Sequence, residues 1–198
     1  MADAPLDVIP YVRQPSRRFN PPGAAPPYPT RQETAMPAIA IRTATAADAG
    51  TLLRLVRALA AYENLSDAVT ATEEDLRRDG FGPHPAFEAR IVSLDGADVG
   101  FTLFYPNYST FAGRAGLFLE DLFVEPAARG HGLGRLLLAD LARIAAGRGW
   151  RALVLHVLDW NPTRQFYEHL GFRRHGEWLL HSLSGEALAR LADRRDDA

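Results

Sequence analysis

A glycine-rich loop directly before a long helical pattern constrains the fold of this chain more than any other feature. Residues 125–145 read EPAARGHGLGRLLLADLARIA, with glycine at positions 130, 132 and 134. Glycine costs about 1 kcal/mol relative to alanine inside a helix. However, small residues before a helix let backbone N–H groups approach an anion, and the helix N-terminus adds about half a positive charge. The loop, with Arg129 and Arg135 beside it, therefore predicts a phosphate site.

Two well-known phosphate loops do not fit this sequence. The Walker form requires Gly-Lys-Ser/Thr, whereas Gly134 is followed by Arg135 and Leu136. The dinucleotide form requires a third glycine three residues after the second, and Arg135 occupies that position. What remains is the pattern Arg-x-x-Gly-x-Gly at residues 129–134. The alternative is a turn that only caps the helix, although a cap rarely needs more than one glycine.

The hydrophobic pattern of the sequence predicts alternating strands and helices from residue 38 onward. We expect strands at residues 38–44, 86–94, 98–105, 116–126, 152–158 and 172–183. We expect helices from Thr45 or Asp48 to about Tyr62, over residues 70–80 with a Thr72 cap and a Gly80 stop, and over residues 132–147, 162–169 and 185–192. This order indicates an α/β or α+β domain in three layers.

Composition limits both the domain count and the classes of partner. The 198 residues fit one domain over residues 37–193, and the net charge of −2 gives no sign of nucleic-acid or membrane binding. Nine of the 14 prolines lie between Pro5 and Pro37, which predicts a flexible leader over residues 1–36 and leaves a proline-rich docking ligand as the alternative. Met36 is a candidate start, and residues 194–198 are a short tail. The chain has no cysteine, and its six histidines show no metal-binding spacing, so we expect no metal.

A second motif, NPTRQFYEHLGF at residues 161–172, follows the loop by about 30 residues. The two motifs together resemble the GNAT superfamily of N-acyltransferases. The resemblance implies a central mixed, mostly antiparallel twisted sheet flanked by helices, with acetyl-CoA as cofactor. It also implies that Asn161 contacts the cofactor and that Tyr167 lies near its sulfur, although a packed core aromatic is the plain alternative for Tyr167. The cofactor-binding residues implied are Leu122, Phe123, Val124, Arg129, Gly130, His131, Gly132, Leu133, Gly134, Arg135, Asn161, Phe166 and Tyr167.

Acetyl transfer to an amine requires a base and an acid. An alkyl ammonium has a pKa of about 10.4 and must lose a proton, and a leaving thiolate must be protonated or stabilised. Tyr167 is the candidate acid. Glu120 is the leading candidate base, with Asp121 or water as alternatives. Adjacent strand residues point to opposite faces, so we expect these two carboxylates to have different roles, unless one of them pairs with Arg114.

Further segments narrow the resemblance from the superfamily to one family within it. YENL, EDLRRDGFGPHPAF, LEDLFV and DWNPTRQFYEHLG together resemble the spermidine/spermine N-acetyltransferase family with its diamine and thialysine relatives. This implies a homodimer acting on a primary amine of a small cationic substrate, with Glu63 and Asp121 as substrate contacts. The cytoplasmic location that we expect rests on composition instead. Only Asp67 follows Glu63 nearby, which leaves diamines or lysine-like amino acids as competitors to long polyamines. Acetylation of a protein or peptide amine and non-catalytic acetyl-CoA binding are the other interpretations, but a pure binder would need neither Glu120 nor Tyr167.

Overall fold

The structure is a computed structural model that describes residues 37–193. The leader expected over residues 1–36 and the tail expected over residues 194–198 lie outside the described residues. None of the helices within residues 37–193 has the length and apolar character needed to cross a membrane.

Five strands form one sheet in the order β1-β2-β3-β4-β5. The strands are β1 (Ile39–Thr43), β2 (Glu88–Leu94), β3 (Ala97–Ser109), β4 (Arg114–Val124) and β5 (Leu153–Leu155). The first four strands pair antiparallel with their neighbours, and β5 pairs parallel with β4. This confirms the mixed, mostly antiparallel sheet.

The helices are α1 (Ala49–Tyr62), α2 (Glu73–Phe81), α3 (Leu133–Gly147), α4 (Thr163–His169) and α5 (Gly185–Ala192). The cap expected at Thr72 is confirmed: the Asp75 N–H donates to the Thr72 hydroxyl at 3.2 Å, and the Thr72 N–H donates to the Asp75 carboxylate at 3.0 Å. Gly80, expected to end α2, instead lies inside the helix. A Cβ on Gly80 would come within 2.5 Å of the Phe87 ring, so close packing rather than helix termination explains this glycine.

Helices cover both faces of the sheet, which confirms the three layers. On one face, α1 and α2 pack against Ile91, Phe101, Leu103 and Phe123. On the other face, α3 packs through Leu138 and Leu141 against Leu117 and Leu119 of β4. These two faces are called the α1 face and the α3 face below.

The strand expected at residues 172–183 is wrong, because this segment forms no regular strand. The strand expected at residues 152–158 is also too long, since β5 pairs with β4 over only three residues. A strand needs a neighbouring edge to pair with. The segment at residues 172–183 instead leaves Trp178, Leu179 and Leu180 between 71% and 80% exposed. Apolar content alone therefore predicted a strand that lacks a partner within the described residues.

Candidate active site

The glycine loop adopts the backbone that its sequence predicts. Gly130 and Gly132 have φ angles of 88° and 74°, in the left-handed region that favours glycine. Gly132 is the N-cap of α3, and the first helical hydrogen bond runs from the Leu136 N–H to the Gly132 carbonyl at 3.1 Å. The N–H groups at the start of α3 come before this bond, so they have no carbonyl partner within the helix. The loop and the helix N-terminus thus form a suitable cradle for an anion.

Gly134 has no such backbone requirement. It lies within the first turn of α3, and a Cβ there would lie 3.5 Å from Phe166, an ordinary contact distance. A glycine that the fold does not need is explained if a ligand approaches the backbone closely at this point.

Arg129 connects the loop to two other elements. Its Nε donates to the Val124 carbonyl at 3.2 Å, at the end of β4. Its guanidinium lies 4.6 Å from the ring centroid of Tyr62, the last residue of α1. Arg129 is therefore held in place by protein contacts, while Arg135 is exposed beside the first turn of α3. Sequence reasoning missed Tyr62, because nothing along the chain indicates that the end of α1 lies beside the loop.

The edge of β4 is open where the cofactor arm is expected. The pairing of β4 with β5 ends at Leu119 and Leu155. Beyond that point, within residues 37–193, no strand pairs with the β5 side of residues 122–124. An unpaired strand edge of this kind can hydrogen-bond an extended, amide-containing ligand.

Asn161 is buried, with 5% of its surface exposed. Its side-chain oxygen accepts hydrogen bonds from the Thr163 N–H at 3.0 Å and from the Thr163 hydroxyl at 2.8 Å. These bonds occupy the oxygen at the start of α4, so the amide nitrogen is the group left to donate to a cofactor.

Tyr167 satisfies both interpretations of its role. Its ring packs 5.4 Å from the Phe166 ring and 5.5 Å from the Phe172 ring, as expected for a core aromatic. Burial, together with the negative charge of Glu63, raises the pKa of Tyr167 to about 12. The phenol therefore remains a proton donor at every pH near neutrality.

A β-bulge places Glu120 and Asp121 on the same face of the sheet. Leu103 pairs with Asp121 and Phe104 pairs with Leu119, so Glu120 is an extra residue in β4. Leu119 and Leu122 both pack on the α3 side, which leaves the two residues between them on the α1 face. The expectation that the two carboxylates point to opposite faces is wrong, because strict alternation fails at a bulge.

The two carboxylates have different surroundings. Burial, with the nearby charges of Glu120 and then Glu63, raises the pKa of Asp121 to about 6. Burial also raises the pKa of Glu63. Glu120 is exposed and accepts a hydrogen bond from the Tyr105 hydroxyl at 3.0 Å. Neither Glu120 nor Asp121 forms an ion pair with any residue from 37 to 193, so the alternative pairing with Arg114 does not occur there.

Tyr105 is a site residue that sequence reasoning missed. It lies on β3 opposite Phe118, and the bulge brings Glu120 within reach of its hydroxyl. Burial, followed by the contact with Glu120, raises the pKa of Tyr105 to about 12. The only signal in the sequence was an aromatic residue near the end of an expected strand. Its register against β4 could not be derived without knowing the hairpin length.

Within residues 37–193, no group of three or more His, Asp or Glu side chains is arranged to hold a metal ion. The geometry instead brings together an anion cradle, an open strand edge and a set of protonatable groups. The charge of Glu63 contributes to the raised pKa of both Asp121 and Tyr167. Such an arrangement suits proton removal and proton donation around one reacting centre.

Comparisons with known proteins identify the relatives of this chain. A model of the acetyltransferase (GNAT) family matches residues 54–172. The thialysine N-epsilon-acetyltransferase of Bos taurus is 40% identical over 168 residues, which cover 79% of this chain and 98% of that protein. The L-ornithine N5-acetyltransferase of Arabidopsis thaliana is 29% identical over an alignment of 219 positions, which covers 85% of this chain and 96% of that protein. An integron cassette protein from the mobile metagenome of V. cholerae has a TM-score of 0.64 at 24% identity, covering 78% of this chain and 98% of that one, a likeness of fold alone.

Proposed function

The chain belongs to the acetyltransferase (GNAT) family, and from this premise we propose that it acetylates the side-chain amine of a lysine-like amino acid. It is an acetyltransferase that acts on a small-molecule amine, and enzymes of its family use acetyl-CoA as co-substrate. The observation that carries the proposal is the pair of carboxylates at the β4 bulge, where the charge of Glu63 acts on Asp121 and also on Tyr167.

Two observations favour an amino acid over a long polyamine. The bovine relative is named for the ε-amine of thialysine and the Arabidopsis relative for N5 of ornithine, and both of these substrates are amino acids. The sequence after Glu63 also contains only one further nearby acid, Asp67. A long polycation needs more carboxylates than this to fix its ammonium groups.

Asp121 is the better candidate for the base. An alkyl ammonium has a pKa of about 10.4, so a proton must be removed before the amine attacks the thioester. A carboxylate with a pKa of about 6 accepts a proton near neutrality more readily than an ordinary aspartate does. Glu120, which the sequence favoured, is the exposed neighbour of Asp121 and is the alternative base. In that case Asp121 would serve as the contact for the ammonium group.

Tyr167 is proposed to stabilise the leaving thiolate. The pKa of Tyr167 is about 12, whereas a thiol has a pKa of about 8.5, so complete proton transfer would be uphill by roughly 5 kcal/mol. A hydrogen bond from the phenol to the developing thiolate has no such penalty. The ammonium loses two protons in all. The first goes to the base before attack, and the second, lost from the nitrogen as the C–S bond breaks, neutralises the thiolate.

Acetyl-CoA is proposed to bind along the open edge of β4. The loop at residues 129–135, with the α3 N-terminus, would hold the pyrophosphate, and residues 122–124 would pair with the pantetheine arm. Asn161 would donate through its amide nitrogen, and Phe166 and Tyr167 would border the thioester. Acetyl-CoA supplies the activated acyl group, and the residues of this chain orient it and control the protons.

A homodimer is the proposed assembly. Large apolar side chains are exposed along the C-terminal region of the described chain, namely Trp178, Leu179, Leu180, Leu183, Leu188 and Leu191. Several exposed large apolar side chains within one short region of a chain are typical of an interface. The cytoplasmic location expected from the sequence stays a prediction.

A substrate screen tests the proposed function. The purified protein is incubated with acetyl-CoA and one of lysine, thialysine, ornithine, putrescine, spermidine or a lysine-containing peptide, and release of coenzyme A is measured. We expect the amino acids to give the highest kcat/KM. Turnover of the peptide alone would replace the proposal with protein acetylation, and turnover of no amine would refute it.

Tyr167→Phe is the matched variant, because it keeps the ring that packs against Phe166 and Phe172. We expect kcat to fall more than tenfold, while the melting temperature and the KM for acetyl-CoA change little. An unchanged kcat would remove Tyr167 from the mechanism.

A further inference from the structure

Three aromatic side chains form a continuous strip across three neighbouring strands. The rings of Tyr105 and Phe118 are stacked, with centroids 5.1 Å apart and planes 21° apart. His156, directly after β5, lies edge-on to Phe118 with a centroid distance of 5.0 Å. Tyr105, Phe118 and His156 are called the aromatic strip below.

The aromatic strip lies on the α1 face of the sheet. Leu117 and Leu119 pack on the α3 side, so Phe118 between them points to the opposite face. The strip is at least partly accessible, because Tyr105 and Phe118 are half-buried and His156 is exposed. None of its three rings belongs to a hydrophobic cluster of the described residues, so packing of the fold does not explain the strip.

One end of the aromatic strip lies beside the reacting centre. The Tyr105 hydroxyl donates to Glu120 at 3.0 Å, and Asp121 is the next residue of the bulge. Glu120, Asp121 and Glu63 make this end negative, which complements the amine of the acceptor. The other end carries His156, whose imidazole has at least one N–H to donate.

Charge then determines the direction in which a lysine-like acceptor would lie. Its amine belongs at the carboxylates, and these same carboxylates would repel its carboxylate group. The acceptor must therefore extend away from Glu120, and the flat rings offer apolar surface to its methylene groups. Adjacent strands lie about 4.8 Å apart, so the strip spans about 10 Å, sufficient for one extended side chain.

Building on the proposed function, we propose that the aromatic strip is the subsite for the acceptor's carbon chain, and that His156 receives the acceptor's carboxylate. This would make Phe118 a determinant of chain length. It would make His156 the residue that distinguishes a lysine-like amino acid from a diamine of the same length.

The chain-length part is tested with 1,3-diaminopropane, putrescine and cadaverine. In the wild type, each added methylene should raise kcat/KM by up to about fourfold. Phe118→Leu should flatten this series while leaving the KM for acetyl-CoA within about twofold, and Phe118→Tyr, which keeps a ring, should preserve the slope. Tyr108→Leu is the control, since Tyr108 is an exposed aromatic on β3 that alternation places on the other face.

The carboxylate part is tested with lysine and cadaverine, which differ only by the carboxylate group. His156→Leu should lower kcat/KM for lysine about tenfold and change the value for cadaverine less than twofold. An equal effect on both substrates, or on neither, would refute the assignment of the carboxylate to His156.

The controls separate the failure of this inference from that of the proposed function. If the wild type acetylates no amine, the proposed function fails and the subsite fails with it. If the wild type acetylates amines and Phe118→Leu leaves the slope unchanged, only the subsite is wrong. If Phe118→Leu instead changes the molar mass in light scattering with no change in slope, the strip is an interface and the proposal is overturned.

Discussion

Gly130 and Gly132 have positive φ angles, whereas Gly134 lies within α3, where a Cβ would meet the Phe166 ring and the Leu122 side chain at ordinary contact distances. The first two glycines are therefore explained by the backbone path of the loop. The fold alone would accept a larger residue at the third position, and the proposed cofactor site would explain why glycine is present there. A substitution at Gly134 can thus separate cofactor binding from folding, which substitutions at the other two positions cannot do.

Gly134→Ala should leave stability unchanged or raise it by up to about 1 kcal/mol, because alanine is the better helix former. The same change should raise the KM for acetyl-CoA at least tenfold, since the added methyl would displace the pyrophosphate from the backbone. Gly147→Ala, at the other end of α3 and with no atom within 4 Å of its added Cβ, is the control for helix propensity. Urea denaturation and steady-state kinetics measure both effects. An unchanged KM at Gly134→Ala would argue against close approach of the cofactor there.

Asp121 also gives the activity a defined pH dependence. Its pKa is raised to about 6, mainly by burial, and its ionised form is needed either to accept a proton or to hold the ammonium group. We expect kcat/KM to fall below about pH 6. Asp121→Asn should remove this acidic limb and most of the activity, and Glu120→Gln should keep the limb. If Glu120→Gln removes the limb instead, Glu120 is the base.

The same raised pKa predicts that Asp121 lowers stability at neutral pH. The unfolded chain ionises this group at the ordinary aspartate pKa of 3.8, and the folded chain does so at about 6, so folding favours the protonated form. Relative to Asp121→Asn, the free energy of unfolding of the wild type is therefore highest below pH 4. It falls between pH 4 and pH 6 and is constant above pH 6. The difference is up to about 3 kcal/mol. Urea denaturation at pH 4 and pH 8 measures it, and an equal difference at both values would contradict this prediction.

Local sequence signals predicted the elements whose cause is local. The Thr72 cap of α2, the span of α3 and the final helix were predicted because capping and helical periodicity act over a few residues. The bulge at Glu120 was not predictable, because it depends on where β3 pairs with β4. The same holds for Tyr105 and Phe118, whose contact depends on strand register. Apolar content at residues 172–183 was misleading because it cannot tell a paired strand from an exposed surface.

Asp140 fixes α3, and with it the loop, to the sheet. It is 5% exposed, and its carboxylate accepts from the Arg90 Nε of β2 at 2.7 Å. Arg90 also donates to the Thr43 hydroxyl of β1, so one ion pair joins three elements. Asp140 was not predicted either, because its leucine-rich helix gave no sign of a buried partner.

Asp140→Ala should destabilise the fold by about 3–5 kcal/mol, because it leaves Arg90 largely buried without its counter-ion. Arg143→Ala is the matched control: Arg143 bonds the same carboxylate at 3.0 Å, but its side chain is 70% exposed. Its removal should change stability by less than about 1 kcal/mol. Thermal and urea denaturation measure both variants. Equal effects would show that burial does not determine the strength of this ion pair.

At the scale of the whole molecule, the C-terminal region of the described chain is difficult to reconcile with a solvated monomer. Trp178, Leu179 and Leu180 are consecutive and are 71%, 80% and 79% exposed, and α5 adds Leu188 and Leu191. Single exposed apolar residues are common, but several in one short region favour a surface that another molecule covers. The segment at residues 172–183 also lacks a strand partner within residues 37–193. A second copy of the chain is the partner that the proposed homodimer provides.

Light scattering should therefore give about twice the chain mass of 21.8 kDa. Trp178→Glu combined with Leu180→Glu should give a monomer, because burying an unpaired carboxylate at an interface is strongly unfavourable. Phe111→Glu is the control, since Phe111 is 96% exposed at the tip between β3 and β4 and lies outside this group of residues. A wild-type monomer at micromolar concentration would contradict the dimer. If the double variant is monomeric and still active, each chain contains a complete active site, and the interface contributes to stability alone.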